Sequence, residues 1–492
     1  MKSTFKILFV SSEIAPLAKT GGLADVSGAL PKALKTLGHD IRLVMPEYGS
    51  IDKDLYGDHI ETNFQNIKIK IGTEFKNANI GSTFLRNPEV KTYLIGNDHY
   101  YNRQELYRNP ETNEDWSDNA ERFIFFNKAI LEMIRALDWR PDIIHINDWQ
   151  VSLIPLFLKL HHRNDPFYEG IRTMLTIHNI AYQGLFPKHV LKLMNIDDAL
   201  FYSGSSIEYW GKVNFLKIGI LHSDIITTVS KTYAKEIQQN EDVGFGLQGV
   251  LQSRSEDIYG IVNGIDYSIW NPKIDSFIPS NYDATDLSGK SVSKKELTLR
   301  NGLKYEPEIP VIGIISRLTD QKGFDLIEEI FDDLMKMNLQ FVLLGTGDKK
   351  YHDIFESYQK KYPDKTGINL LFDNQLAHLI EAGSDIFLMP SKFEPCGLNQ
   401  IYSLKYGTIP IVRSVGGLKD TIINFEGKRE NGTGFIFKKY SGKELLKTIN
   451  KAVEVFKDKP VWNKIIQNAM AKEFSWDVSA KHYEKLYRKL LK

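Results

Sequence analysis

Short apolar runs alternate along the chain with longer stretches in which apolar positions recur every three to four residues, the signature of strands and helices taking turns. Residues 6–10 form the first run, a polar loop follows, residues 23–37 repeat at helical spacing up to Gly38, and residues 41–45 form the next strand. That is one strand–helix–strand unit. Further strands are predicted at 91–95, 143–146, 173–177, 225–229 and 258–262, with a helix at 119–137. A fresh series opens at 310–316, continues at 341–344, 368–372, 386–389 and 409–412, and closes at 434–437. Between the two series, residues 263–309 are rich in Asp, Ser, Pro and Asn and carry no strand signal, which places a hinge near 264–272. The predicted fold class is α/β, with two Rossmann-like, doubly wound domains at 1–262 and 263–473 and a final helical segment at 474–492. In open sheets of this kind ligands sit outside the carboxyl ends of the strands, so two facing sheets predict a cleft site.

Composition narrows the picture. At 492 residues the chain exceeds the roughly 250–300 at which one core stops growing. With 42% hydrophobic and 25% charged residues it reads as an ordinary globular protein. Lys+Arg and Asp+Glu are 62 each, which leaves no global field for a nucleic acid or an anionic membrane, so an anionic ligand must meet a local cluster. The lone cysteine, Cys396, excludes an intramolecular disulfide and a cysteine-based metal framework and favours a reducing compartment. The first apolar run is too short for a signal core, and a cytoplasmic enzyme is expected.

The polar residues at predicted strand ends carry the chemistry. Lys19, Gly21 and Gly22 lie in Lys-Thr-Gly-Gly-Leu between the first strand and first helix, where backbone N–H groups can meet an anion; the alternative is a glycine turn with a solvated lysine. Arg317 and Lys322 follow the first strand of the second series and suit a departing diphosphate, or else form surface salt bridges. Glu394 follows the strand at 386–389 and precedes a helix, so it either accepts bonds from sugar hydroxyls and offsets charge at an anomeric carbon, or caps helix donors. Arg413 through Gly416 and Gly417 offer further backbone donors after the next strand. Cys396 has no evident base and reads as a packed thiol. His145 with Asp148, and His178 with Asn179, end successive strands of the first series. Gly345-Thr-Gly347 reads as a plain strand-to-helix turn. No G-x-S-x-G elbow, Walker loop, dinucleotide fingerprint or metal-ligand spacing occurs, which weighs against hydrolases and nicotinamide dehydrogenases. A catalytically silent binding protein need not keep Lys19, Arg317, Lys322 and Glu394 together.

The segments KTGGLADVSGALPKAL, HINDWQ, TIHNIAYQG, NGIDYSIWNP, SRLTDQKGFD, SKFEPCGLNQIYSLKYGTIPIV, GGLKDT and FSWDVSAKHYEKLY together resemble the bacterial and plant glycogen/starch synthases, over nearly the whole chain. That resemblance implies a retaining glycosyltransferase of the GT-B fold that moves glucose from ADP-glucose to the non-reducing 4-hydroxyl of an α-1,4-glucan, with no metal and no other cofactor. A related transferase using UDP-glucose or another acceptor is the alternative. By the same likeness Lys19 binds the donor, Arg317 and Lys322 neutralise the diphosphate, and Glu394 lies by the transferred glucose. Cys396, Gly397, Leu398, Asn399, Gly417 and Leu418 would give backbone contacts to sugar and phosphate. His178, Asp148 and Asn263 would hold the glucose, and Phe372 would lie against the adenine. The chain departs from the family pattern at Gln248, where Glu is usual, and at Asp373-Asn374 in place of His-Glu. Tyr402 stands where many related transferases carry a second glutamate, as in the synthase branch. The final segment is expected to cross back onto the first domain. Nothing in the sequence sets an oligomeric state.

Overall fold

The structure, a computed structural model, describes residues 4–52, 60–112, 114–427 and 431–492, and its contacts divide the chain into two units. The first comprises Met1–Val229, Ala234–Gly264 and Trp476–Lys492; the second comprises Ser230–Tyr233 and Ile265–Ser475.

Within the first unit, a sheet of nine strands runs in the spatial order Ile258–Gly260, Ile225–Thr228, Arg172–Ile177, Ile143–Asn147, Lys6–Val10, Asp40–Pro46, Val90–Gly96, Glu74–Leu85, Glu61–Ile71. All pairings are parallel except the last two, where an antiparallel hairpin extends the sheet. The central strands are apolar and buried along nearly their whole length, as a sheet covered on both faces requires. Helix Gly22–Thr36 follows the first strand and buries Leu23, Val26, Leu30 and Leu34 at helical spacing. Helix Trp476–Leu490 packs against it, so the last described helix belongs to this unit.

The second unit holds a wholly parallel sheet of six strands, in the order Thr366–Asn369, Gln340–Leu344, Val311–Ile315, Ile386–Met389, Ile409–Arg413, Phe435–Phe437. Numbered along the chain, this is the 3-2-1-4-5-6 order of a Rossmann fold. Strand order therefore reverses between Val311–Ile315 and Ile386–Met389. In the first unit the reversal falls between Lys6–Val10 and Ile143–Asn147. These two switch points are where the fold opens a crevice.

Four features differ from the sequence reading. The strand expected at 368–372 ends at Asn369, because Asp373 turns the chain to cap helix Asn374–Gly383 through Leu376 N at 2.8 Å. The stretch 263–309 contains helix Ser288–Arg300, whose amphipathic pattern is diluted by serines and lysines. The hairpin Glu61–Ile71/Glu74–Leu85 adds two strands that the apolar pattern of the sequence does not mark. Ser230–Tyr233, expected in the first domain, sorts with the second unit, where Thr232 donates from its N and Oγ1 to Asp420 at 2.8 and 2.6 Å.

Candidate active site

In the second unit the loops leaving the two switch-point strands are laced together by their backbones. Gly323 has φ +77°, and a Cβ there would stand 2.2 Å from Pro390 O, so only glycine lets the Lys322 turn lie against the loop carrying Glu394. Lys392 N donates to Gln321 O at 2.8 Å and Gln321 Nε2 to Phe393 O at 3.2 Å. The result is an ion pair: Lys322 Nζ lies 2.7 Å from Glu394 Oε2, with the carboxylate buried and the lysine partly covered. Ser391 Oγ donates to the same oxygen at 3.0 Å. Arg413 steadies the loop by donating from Nε to Ser391 O at 3.0 Å and from a terminal nitrogen to Lys392 O at 2.6 Å. Arg317 stands exposed on the adjoining loop and makes no ion pair among the described residues. A fixed cation–carboxylate pair, with an exposed arginine on the same loop as its lysine, is suited to an anion that carries a sugar.

The segment after Glu394 is built on close approach. Gly397 has φ +72° and Gln400 fills the place of its Cβ. Cys396 is a buried thiol whose carbonyl accepts Gln400 Nε2 at 3.0 Å. Leu398 caps helix Asn399–Tyr406, and Asn399 Nδ2 donates to Ile315 O at 2.6 Å, tying that helix to the end of the first strand. Gly417 N donates to Glu394 O and Pro395 O, both at 3.2 Å, so this donor shapes the Glu394 loop; it is not open to phosphate as the resemblance implied. Leu418 is buried in the first turn of helix Gly416–Thr421. Gly345 and Gly347 pack against Ser316 O and Leu318 O, the plain turn that the sequence indicated. Phe372 is 85% exposed, with its ring free of the core. Asp373, at one of the two departures from the family pattern, caps a helix and pairs with Arg300 at 2.6 Å.

In the first unit the switch-point loops carry Lys19 and Asp148. Lys19 Nζ is half exposed and lies 2.6 Å from Asp25 Oδ1, a weak surface pair that an anion can displace. A Cβ at Gly21 or Gly22 would meet nothing within 4 Å, so both leave open room beside the loop. The N–H groups of Thr20 and Gly21, however, are occupied: both donate to the carboxylate of Glu13, at 2.6 and 3.2 Å. Those two N–H groups are therefore not open to an anion as the phosphate-loop reading expected.

Asp148 follows strand Ile143–Asn147 with φ +59° and ψ −174°, a strained backbone for a residue with a side chain. Its Oδ1 accepts His178 N at 2.7 Å, which joins the ends of two neighbouring strands. Burial pushes its carboxyl up to about 7, against the hydrogen bonds from His178 and Asn179. His178 Nε2 is 2.9 Å from Asn147 Oδ1, while Asn147 Nδ2 donates to Val10 O at 3.0 Å. The amide is thus oriented, and His178 must donate from Nε2, which leaves Nδ1 as an acceptor. Burial lowers its pKa to about 3, so the ring is neutral. Asn263 is buried and its Oδ1 has no hydrogen-bond partner among the described residues. His145 is different: both ring nitrogens are engaged inside the unit, at 2.7 Å to Tyr487 Oη and 2.6 Å to Thr176 Oγ1, which makes it structural. Sequence reasoning missed Glu13, Asn147 and Ser391, each of which matters through a partner distant in the chain or hidden from solvent.

Two Rossmann-like units, each with charged side chains gathered at its switch point, define a glycosyltransferase of two-domain α/β architecture. Residues 6–253 match the family model of the starch synthase catalytic domain, and residues 297–471 match that of glycosyl transferases group 1. The chain is 45% identical over 489 residues to the glycogen synthase of Thermotoga maritima, covering 99% of each, and 45% identical over 486 residues to that of Geotalea daltonii, again covering 99% of each. The catalytic domain of starch synthase IV from Arabidopsis thaliana, bound to ADP and acarbose, superposes with a TM-score of 0.90 at 31% identity, over 99% of this chain and 100% of that one. A sucrose-phosphate synthase from Thermosynechococcus elongatus shares the fold alone, at 15% identity and a TM-score of 0.60, covering 99% of both chains. The chain belongs to the glycogen/starch synthase family, whose members transfer glucose from a nucleotide sugar to an α-glucan. No helix among the described residues is long and apolar enough to cross a membrane.

Proposed function

We propose that the donor is ADP-glucose and that glucose passes, with retention, to the non-reducing 4-hydroxyl of an α-1,4-glucan. The observation that carries this reading is the Lys322–Glu394 pair, its carboxylate buried, with Arg317 exposed on the same loop as Lys322, at the switch point of a Rossmann sheet. Arg317 and Lys322 take the diphosphate and offset its charge as it leaves, so the reaction needs no metal; activity is expected to survive a chelator. Glu394 uses the oxygen not held by Lys322 and Ser391 to accept a sugar hydroxyl, and its charge steadies the anomeric carbon. Neutral His178 accepts a hydroxyl at Nδ1, Asn263 Oδ1 accepts another, and Asp148 fixes the backbone that presents His178. Lys19, with Gly21 and Gly22 leaving room, meets the donor's phosphate side, and Cys396 to Asn399 with Leu418 shape the sugar pocket. Phe372, exposed after Thr366–Asn369, stacks on the adenine. The ADP-bound relative supports the choice of nucleotide. Because Glu394 is tied to a lysine and a serine, it is a poor nucleophile, and front-face attack assisted by the departing phosphate accounts for retention. ADP-, UDP- and GDP-glucose offered together with one glucan primer test the donor: dominant transfer from UDP- or GDP-glucose would overturn it. A glucosyl-enzyme adduct in a mass spectrum would overturn front-face attack.

A further inference from the structure

The loop between strand Lys6–Val10 and helix Gly22–Thr36 is organised around a carboxylate of its own. Glu13 is 4% exposed. Its Oε2 accepts Thr20 N at 2.6 Å and Gly21 N at 3.2 Å; its Oε1 accepts Thr20 Oγ1 at 2.9 Å and Tyr107 Oη at 3.1 Å. Tyr107 Oη is in turn 2.7 Å from Ser12 Oγ, and Ser11 Oγ donates to Glu13 O at 2.8 Å. Four donors thus converge on two oxygens, and among the described residues Glu13 makes no ion pair. A glycine-rich turn ahead of a helix normally leaves its first N–H groups for an external anion. Here two of them are spent internally, on an acid delivered from the same loop, and this curls Lys19–Gly22 back over residues 11–13. Burial, and to a smaller extent the charge of Glu13, raises the proton affinity of Asp148 at the end of the neighbouring strand Ile143–Asn147.

We infer that Glu13 is the positioning residue of the donor-side loop, acting as a built-in anion that gives Lys19, Gly21 and Gly22 their binding shape before the nucleotide sugar arrives. The inference rests on the reading that this loop meets the donor's phosphates. An amide replaces the acid only in part. In Glu13→Gln the remaining oxygen can still accept Thr20 and Gly21 N–H while the NH2 group turns to the hydroxyls of Thr20 and Tyr107, which accept as well as donate, so what the variant removes is the charge that strengthens all four bonds. Unlike a purely structural buried acid, Glu13 should act selectively on the donor, because the backbone it shapes is the one assigned to the donor's phosphates.

The full chain is the test, as parent, Glu13→Gln, Thr20→Val and Lys19→Ala, with donor KM measured at saturating glucan, glucan KM at saturating donor, and amide exchange read at Thr20 and Gly21. Thr20 is exposed, so its variant folds even where Glu13→Gln does not. Glu13→Gln is expected to raise donor KM about tenfold or more, with glucan KM changed less than about twofold and exchange at the two amides faster by about 100-fold. Thr20→Val, which removes one of the bonds, should shift donor KM in the same direction by roughly threefold. If Lys19→Ala raises donor KM while Glu13→Gln and Thr20→Val leave it at the parent value, Glu13 does not position the loop. If Lys19→Ala leaves donor KM unchanged while the Glu13 variant frees the two amides, the donor-side reading of the loop fails and with it this role for Glu13. Equal rises in donor and glucan KM would also overturn it, by showing a general loss of structure.

Discussion

Lys322 and Arg317 are both cations at one strand end, yet they differ in what their removal leaves behind. Arg317→Ala strips an exposed side chain without orphaning a partner and should leave the melting temperature of the protein unchanged. Lys322→Ala leaves Glu394 buried with only Ser391, which should destabilise by about 1–3 kcal/mol. Both should lower turnover by about 10²–10³, some 2.7–4 kcal/mol, and thermal melts beside steady-state rates separate the two effects. Glu394→Gln keeps the shape and loses the charge; it should bind donor almost normally and turn over slowly, and an unchanged rate would reduce the acid's part to hydrogen bonding. Asp148 makes a prediction of opposite sign for stability. Its carboxyl is harder to ionise folded than unfolded, so the folded state loses stability as pH rises from the ordinary 3.8 and carries the full penalty above about 7. At about 1.4 kcal/mol per pH unit the ceiling is roughly 4 kcal/mol. Asp148→Asn should therefore melt higher than the parent at about pH 8, match it near pH 4, and turn over more slowly. Of these side chains, Lys322, Arg317, Glu394 and Asp148 were legible because each sits just past an apolar run. Glu13 was not, since a buried acid whose partners are backbone N–H groups and a tyrosine far along the chain looks in sequence like any loop glutamate.

At the level of elements, the two Rossmann-like units place their chemistry by the same rule, in the loops flanking the point where strand order reverses. The sequence carries a coarse trace of this, since both halves open with a strand, a serine, and then a lysine close to glycine: Ser12 to Lys19 and Gly21, Ser316 to Lys322 and Gly323. What it did not show is how tightly those loops are pressed together. Gly416 has φ +41°, and a Cβ there would sit 1.8 Å from Glu394 O. Gly416→Ala should thus move the Glu394 backbone, costing about 1–3 kcal/mol and most of the turnover. Gly302, with φ +70° and open space around it, is the control: alanine there should cost about 1 kcal/mol and leave turnover intact. The hairpin Glu61–Ile71/Glu74–Leu85 escaped the reading for a different reason. Its first strand is mostly polar on both faces and its register shifts between Thr62 and Phe64 and again before Ile67, so no clean alternation of period two survives.

Across the whole chain, the first unit is not continuous, since Trp476–Lys492 completes it after the second unit has been traversed. Helix Trp476–Leu490 enters the core through Tyr483 and Tyr487, both fully buried, and Tyr487 Oη meets His145 Nδ1 at 2.7 Å. Burial holds His145 neutral, with a pKa near 3, so this bond does not switch within the physiological range. Tyr487→Phe should leave one ring nitrogen unsatisfied and destabilise the first unit by about 1–3 kcal/mol, while ADP binding by the second unit persists; a calorimetric trace with and without ADP reads both. The two connections run side by side, with Ile265 N donating to Phe474 O at 2.8 Å and Tyr267 Oη accepting Phe474 N at 2.9 Å. This arrangement sets an order on synthesis. While a ribosome is still making residues 265–475, the second unit has everything it needs to close as each strand emerges, whereas His145 and the face of helix Gly22–Thr36 wait uncovered for a helix not yet translated. The half of the molecule that is made first is the half that finishes last.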